Sequence, residues 1–292
     1  MKTREVRLSA FAHPSEMGAV SILIVILVGL ATGATTVLFG FGGGFVTVPV
    51  MLWIHAAAGP GAAVTAVATS AIVMVVNAAV ATLATPRAVL AELRGTAPLL
   101  SLLAAGGLAG ALLATTAPEP LITWGFVAYL AVTIVDALCR PGFLRPTARP
   151  TARPAARVGH TTTGFAIRSG LGLPIGALAA FLGVGGSVLT VPLLRRAGQP
   201  MRVAAALANP LTLCVAVPAL AVFLLTAQAS QGVGNWALGA VDFGAAALLL
   251  VGSVPVVVLW RRRPPRLPDA LHAWGYVGLL GVVLGAVLAQ LW

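Results

Sequence analysis

Charge is what this 292-residue chain has least of. Only 9% of its residues are Asp, Glu, Lys or Arg, where a soluble domain carries about 25%. Acidic residues number seven, and they form no pair or cluster that could cage a cation. Cysteine is nearly absent too. Cys139 and Cys214 lack CxxC spacing, which excludes a zinc ribbon and a disulfide framework and leaves both as small packing residues. The four histidines, His13, His55, His160 and His272, fall in loops or at the ends of apolar runs. No metal site and no cofactor is expected.

What fills the space is apolar. Hydrophobic residues make up 59% of the chain, and the mean hydropathy is +1.00. Several runs reach the roughly 20 residues that cross a bilayer as helix. They lack the short alternating segments of a β-barrel, so the fold class is an all-α polytopic membrane protein. The net charge of +11 does not indicate nucleic acid, because the arginines gather in a few loops, as the positive-inside rule produces. The run Ser21–Leu30 has the look of a signal peptide. It reads as retained helix, because a second copy of the stretch it leads into has its own apolar lead-in.

That stretch is GFGGGFVTVP, Gly40 to Pro49, and its second copy is GVGGSVLTVP, Gly183 to Pro192. Six of ten positions are identical at a constant offset of 143. Apolar segments at 18–38, 45–54, 62–83, 97–115 and 120–139 are echoed at 164–182, 187–194, 203–226, 240–260 and 270–291. The chain divides into a tail (1–17), a first membrane repeat (18–139), a linker (140–163) and a second repeat (164–292). Each repeat is a broken-helix/half-helix pair plus three transmembrane helices. The linker holds RPTA twice and then RPAA. Its prolines and arginines keep it solvated. It reads as a topology determinant, with binding to anionic membrane lipids as the alternative.

Loop charge orients the repeats. Fifteen arginines, from Arg87 to Arg266, lie on one side if the second glycine pair enters and returns from the cytoplasm and the first from outside. Five segments per repeat then make the repeats inverted. A parallel arrangement sends seven of those arginines outside.

Glycine and proline cost a helix about 1 and 3 kcal/mol relative to alanine, so the doubled break calls for a reason. The run 45–54 is about 15 Å long as helix, half a bilayer, which puts the break near the midplane. Its free N–H groups must face protein, water or ligand. Helix N-termini carry partial positive charge and suit an oxyanion. Gly42, Gly43, Gly44 and Phe45, with Gly185, Gly186 and Ser187, would cradle it, and Thr47 and Thr190 would add hydroxyls. Thr69 and Ser70 in the next span, and Asn209 as their counterpart by position, could donate to the same anion. The bland alternative is that the glycines only permit close helix crossing, as the GxxxG spacings Gly29/Gly33, Gly106/Gly110, Gly172/Gly176 and Gly281/Gly285 do. Hydroxyls in membrane helices also bond back to their own backbone. Asn77 reads equally as an interhelical bond or a site group. Asp136 and Asp242 read as interfacial, with Asp242 and Asn77 the candidates for coupling.

The doubled glycine motif with its Val-Pro, each copy followed by an Ala/Thr/Ser-rich span, resembles the sulfite exporter TauE/SafE family, also called TSUP. The resemblance covers both halves. It implies a bacterial inner-membrane transporter for sulfite, thiosulfate or a small organosulfonate, driven by protons or another gradient. Ser187 stands where the family pattern has a third glycine, and Asn209–Pro210 where Thr-Ser is usual. The rival readings are a passive anion channel, an intramembrane serine hydrolase acting through Ser187, and a scaffold that transports nothing.

Overall fold

The computed structural model describes residues 19–55, 60–144, 169–226, 236–263, 265 and 267–291. The tail 1–17 and all but the first residues of the 140–163 linker lie outside them. Apolar runs become helices and the glycine stretches end them. In the first repeat α1 (Ala19–Phe39) stops at Gly40 and α2 (Gly44–Ile54) begins after the glycines. Then come α3 (Ala62–Leu83), the short α4 (Arg87–Leu90), α5 (Ala97–Thr116) and α6 (Glu119–Cys139). The second repeat runs through α7 (Gly172–Phe181), α8 (Ser187–Arg196) and α9 (Met201–Leu225). A two-residue hairpin, β1 (Ala237–Leu238) with β2 (Val241–Asp242), precedes α10 (Phe243–Arg262) and α11 (Asp269–Leu291). Seven of these helices are long and apolar enough to cross a bilayer. Large apolar side chains such as Leu113, Val132, Trp274 and Val282 face outward, as they do when the surrounding solvent is lipid. This is a multi-pass membrane protein.

The repeats exchange their first helices. α1 packs most extensively along α10, and α7 along α5. Glycine makes both crossings possible. Gly29 and Gly33 lie against the carbonyls of Leu249 and Ser253, and Gly172 and Gly176 against those of Leu99 and Leu103. A Cβ at any of the four would overlap backbone. Gly106 and Gly110 supply the facing surface for α7. The third helices, α3 and α9, pack on each other at the centre. They run in opposite directions. Ala66 of α3 clusters with Ala245, Ala81 with Val257, while α9 starts beside Asp269 and ends where Ala240 donates to the Phe223 carbonyl. Antiparallel third helices and reciprocal first-helix exchange are the inverted repeat in three dimensions.

Two expectations need correction. Gly281 and Gly285 meet nothing within 4 Å, so among the described residues their GxxxG spacing packs no helix. Cys139 is exposed at the end of α6 rather than packed. The first lead-in is α1, and the second is described from the 3-10 turn Ser169–Leu171 through α7, with 164–168 outside the described residues.

The arginines mark one end of the bundle. There Arg195, fully buried at the end of α8, donates from Nε and Nη2 to the Phe143 carbonyl at 3.1 and 2.9 Å and pairs with Asp269 at 2.7 Å. Arg196 pairs with Asp136 at 2.6 Å, and Arg140 with the same carboxylate at 3.2 Å. The sequence reading took Arg195 and Arg196 as loop charges; they latch α8 to α6 and α11.

Candidate functional site

Both half-helices begin at the middle of the bundle and point apart. α2 runs to His55 at the end away from the arginines, and α8 runs to the arginine-bearing end. Neither N-terminus has a side-chain cap. The first intrahelical bonds are Thr47 N–H to the Gly43 carbonyl and Thr190 N–H to the Gly186 carbonyl, 3.1 and 3.0 Å. The N–H groups of Gly44, Phe45 and Val46, and of Ser187, Val188 and Leu189, therefore have no partner within their helices. Two positive dipole ends converge from opposite directions.

Glycine is required by the turn itself. Gly42 and its counterpart Gly185 have φ of +63° and +71°, a region costly to residues with a Cβ. The two turns share their neighbours. The Met74 side chain and the Thr212 methyl touch both Gly42 and Gly185. Gly43 sits against Thr32, Val73 and the Asn77 amide. Asn77 accepts from the Ser253 hydroxyl at 2.9 Å, and Ser253 and Thr212 lie midway along α10 and α9. The breaks are therefore at mid-depth.

Around them, buried polar atoms lack partners. Among the described residues these are Thr32 Oγ1, Asn77 Nδ2, Ser187 Oγ, Thr190 Oγ1, Asn209 Oδ1 and Thr212 Oγ1. Native interiors leave few such atoms, and each one calls for an explanation. Among the described residues, the atoms nearest the glycines of either turn belong to backbone or to uncharged side chains. The arrangement offers neutral donors and helix N-termini, which suit an anion that must be released again.

The predicted site residues divide. Gly44 meets the Gly183 carbonyl, Gly42 and Gly185 share Met74 and Thr212 as neighbours, and Gly43 and Gly186 have different surroundings. Gly44 faces the Gly183 carbonyl and Met74 so closely that a Cβ would overlap both, so close crossing accounts for Gly44. The Phe45 ring joins an aromatic cluster, 4.7 Å from Phe41 and 6.3 Å from Phe126. Thr47 donates back to the Gly43 carbonyl at 2.8 Å, while Thr190 has no such bond. Ser70 donates to the carbonyls of Val67 and Gly183, at 2.6 and 3.0 Å, tying α3 to the other repeat's break. Thr69, fully buried, accepts the Asp242 N–H at 3.0 Å. Asn209 donates to the Ala205 carbonyl at 3.0 Å. Ser187 Oγ makes no hydrogen bond, to histidine or otherwise, among the described residues.

Structure revises the pairing of the third helices. Gly40 meets Ala205 and Ala208 where Gly183 meets Val67 and Ser70. The counterpart of Ser70 is thus Ala208, not Asn209–Pro210. By the same register Val215, beside Gly186, answers Asn77, beside Gly43. One half of the site is polar where the other is apolar. Sequence reasoning missed Thr32, Thr212 and Met74. Thr212 was findable as a hydroxyl one turn after Asn209.

Two further features bear on the site. Pro49 and Pro192 lie inside α2 and α8, past the first turn. Pro192 frees the Val188 carbonyl, and the Tyr276 hydroxyl donates to it at 2.8 Å. Asp242 stands at the start of α10 and is buried within the protein. It caps α10 by accepting the Ala245 N–H at 3.0 Å, and its other oxygen lies 3.3 Å from His55 Nε2. His55 Nδ1 reaches the Met51 carbonyl at 3.0 Å. Both ring nitrogens thus face oxygen atoms.

Paired half-helices meeting at mid-depth between inverted repeats define a transporter architecture. The family model described as sulfite exporter TauE/SafE matches residues 25–288, and the chain belongs to that family. It is accordingly a membrane transporter of the sulfite-exporter type. Neither the curated proteins nor the solved structures contain a match.

Proposed function

We propose that the protein is a secondary transporter that moves a sulfur oxyanion, sulfite, thiosulfate or a small organosulfonate, by alternating access across a bacterial inner membrane. The linker and the arginine-bearing end face the cytoplasm. The observation that carries the reading is the set of buried, unpartnered polar atoms around the two facing half-helix N-termini. Asn77 Nδ2, Ser187 Oγ, Thr190 Oγ1 and Thr212 Oγ1 donate to the anion together with the leading N–H groups of α2 and α8. A site built from neutral dipoles holds an oxyanion without the Coulombic trap of a lysine or arginine, so turnover stays possible.

The His55–Asp242 pair carries the coupling proton. It joins the end of α2 in one repeat to the start of α10 in the other, so its protonation bears on how the repeats rock. Asp242→Asn keeps a good N-cap but cannot ionise. The expected result in proteoliposomes is loss of uptake driven by a pH gradient, with anion exchange at equal pH retained. Equal loss of both would remove the pair from coupling.

The reading as a whole is tested by flux of sulfite, thiosulfate and a small sulfonate against chloride and phosphate, with and without a pH gradient. Gradient-dependent flux of one sulfur anion is expected. Equal flux of all anions would make the protein a channel, and no flux of any would return the scaffold and hydrolase readings.

A further inference from the structure

A cavity of about 340 Å³ opens at the arginine-bearing end between α1, α9, α10 and α11. Val37, Leu38 and Ala206 form its apolar wall, and Arg202, Arg261 and His272 are its polar lining. The arginines here differ from their neighbours. Arg195, Arg196 and Arg140 are each paired with a carboxylate. Arg202 and Arg261 have none within 4.0 Å among the described residues. Arg261 Nε and Nη2 are buried and have no hydrogen-bond partner. His272 Nε2 is engaged by the Leu38 carbonyl, and neither unpartnered Arg261 nitrogen reaches the ring.

Two like charges sharing an apolar-walled cavity repel each other and lose hydration. Anionic oxygen relieves both costs, and the guanidinium fork matches two oxygens of a sulfonate, sulfite or phosphate group. We infer that Arg202 and Arg261 form a second oxyanion site, distinct from the paired breaks. Its volume exceeds one small oxyanion and falls in the range of small-ligand pockets, so an organic tail or water fits behind the bound group. The cavity also adjoins the first break. Leu38 lies two residues before Gly40, and Ala206 follows Ala205, whose carbonyl lies against Gly40. Resting on the transport reading, the site is where the anion loads from, or leaves to, the arginine-bearing side.

The test is binding of radiolabelled sulfite to the purified full chain in detergent. Wild type is expected to bind at two sites. The Arg202→Gln/Arg261→Gln variant should lose one of them, and Arg261→Lys, which keeps charge but not the fork, should weaken it at least about tenfold. Ser187→Ala/Thr212→Val should impair only the other site, so the two readings fail independently. If the double arginine variant does not fold, Arg202→Gln alone, at the exposed mouth, must still weaken the site. A parallel arm compares nanodiscs of phosphatidylcholine with nanodiscs containing phosphatidylglycerol. Loss of arginine-dependent sulfite binding in the second identifies a lipid headgroup phosphate as the resident oxyanion; retention identifies the free anion. Unchanged stoichiometry and affinity in the arginine variants would overturn the inference.

Discussion

Gly43 and Gly186 hold equivalent places before their half-helices but differ in what a methyl group would meet. Gly43 has φ of +100° and lies against Thr32 and the Asn77 amide. Gly186 is in ordinary helical conformation, with its nearest neighbour at 3.6 Å. Gly43→Ala is therefore expected to lower stability by about 1–3 kcal/mol, read as a lowered melting temperature in detergent. Gly186→Ala should leave melting unchanged while reducing flux, because the methyl would stand where an anion approaches the backbone. A Gly186→Ala protein with full flux would place the anion elsewhere. The buried pair gives a second prediction at this scale. His55→Ala removes the side-chain partner of the buried Asp242 carboxylate and is expected to lower the melting temperature. The double variant His55→Ala/Asp242→Ala should recover part of that loss in the same melting experiment. Sequence placed Asp242 at a span start and His55 in a loop. Their meeting depends on packing between repeats, which nothing local to either residue reports.

At the scale of elements, composition was a sufficient guide to where helices lie, because lipid admits few other ways to satisfy a backbone. The boundaries expected at 62–83, 97–115 and 120–139 differ from the structure by a residue at most. The glycine repeat likewise announced the breaks. What could not be read was register between helices. Ser70 answers Ala208 because the chain from α8 to α9 is shorter than that from α2 to α3, and a turn-scale offset decides which face a residue shows. GxxxG spacing had the same weakness. Gly29, Gly33, Gly172 and Gly176 mark crossings, whereas Gly281 and Gly285 face open space. Gly33→Leu and Gly176→Leu are expected to abolish assembly of the chain, and Gly281→Leu to leave it intact, as judged by monodispersity on size-exclusion chromatography. Aggregation of the Gly281→Leu protein would mean that α11 packs against something beyond this chain.

At the scale of the molecule, reciprocal exchange of α1 and α7 means neither repeat is complete without the other. The two breaks lie against the α3–α9 centre that joins the repeats. The orientation carries its own check. Cys139, exposed beside Arg140, should react with a membrane-impermeant maleimide from the cytoplasmic side only, and Cys214, half-buried in α9, should react slowly from either. Labelling of Cys139 from outside would invert the topology and with it the side that the arginine cavity serves.

The central claim is that the anion lies between the two half-helix N-termini. Selenite, the heavier analogue of sulfite, allows it to be located by anomalous scattering in crystals of the protein. The account predicts a peak within hydrogen-bond distance of the leading N–H groups of both α2 and α8, flanked by Ser187, Thr212 and Asn77. A transport-competent protein whose selenite peaks all lie away from the paired breaks would contradict it.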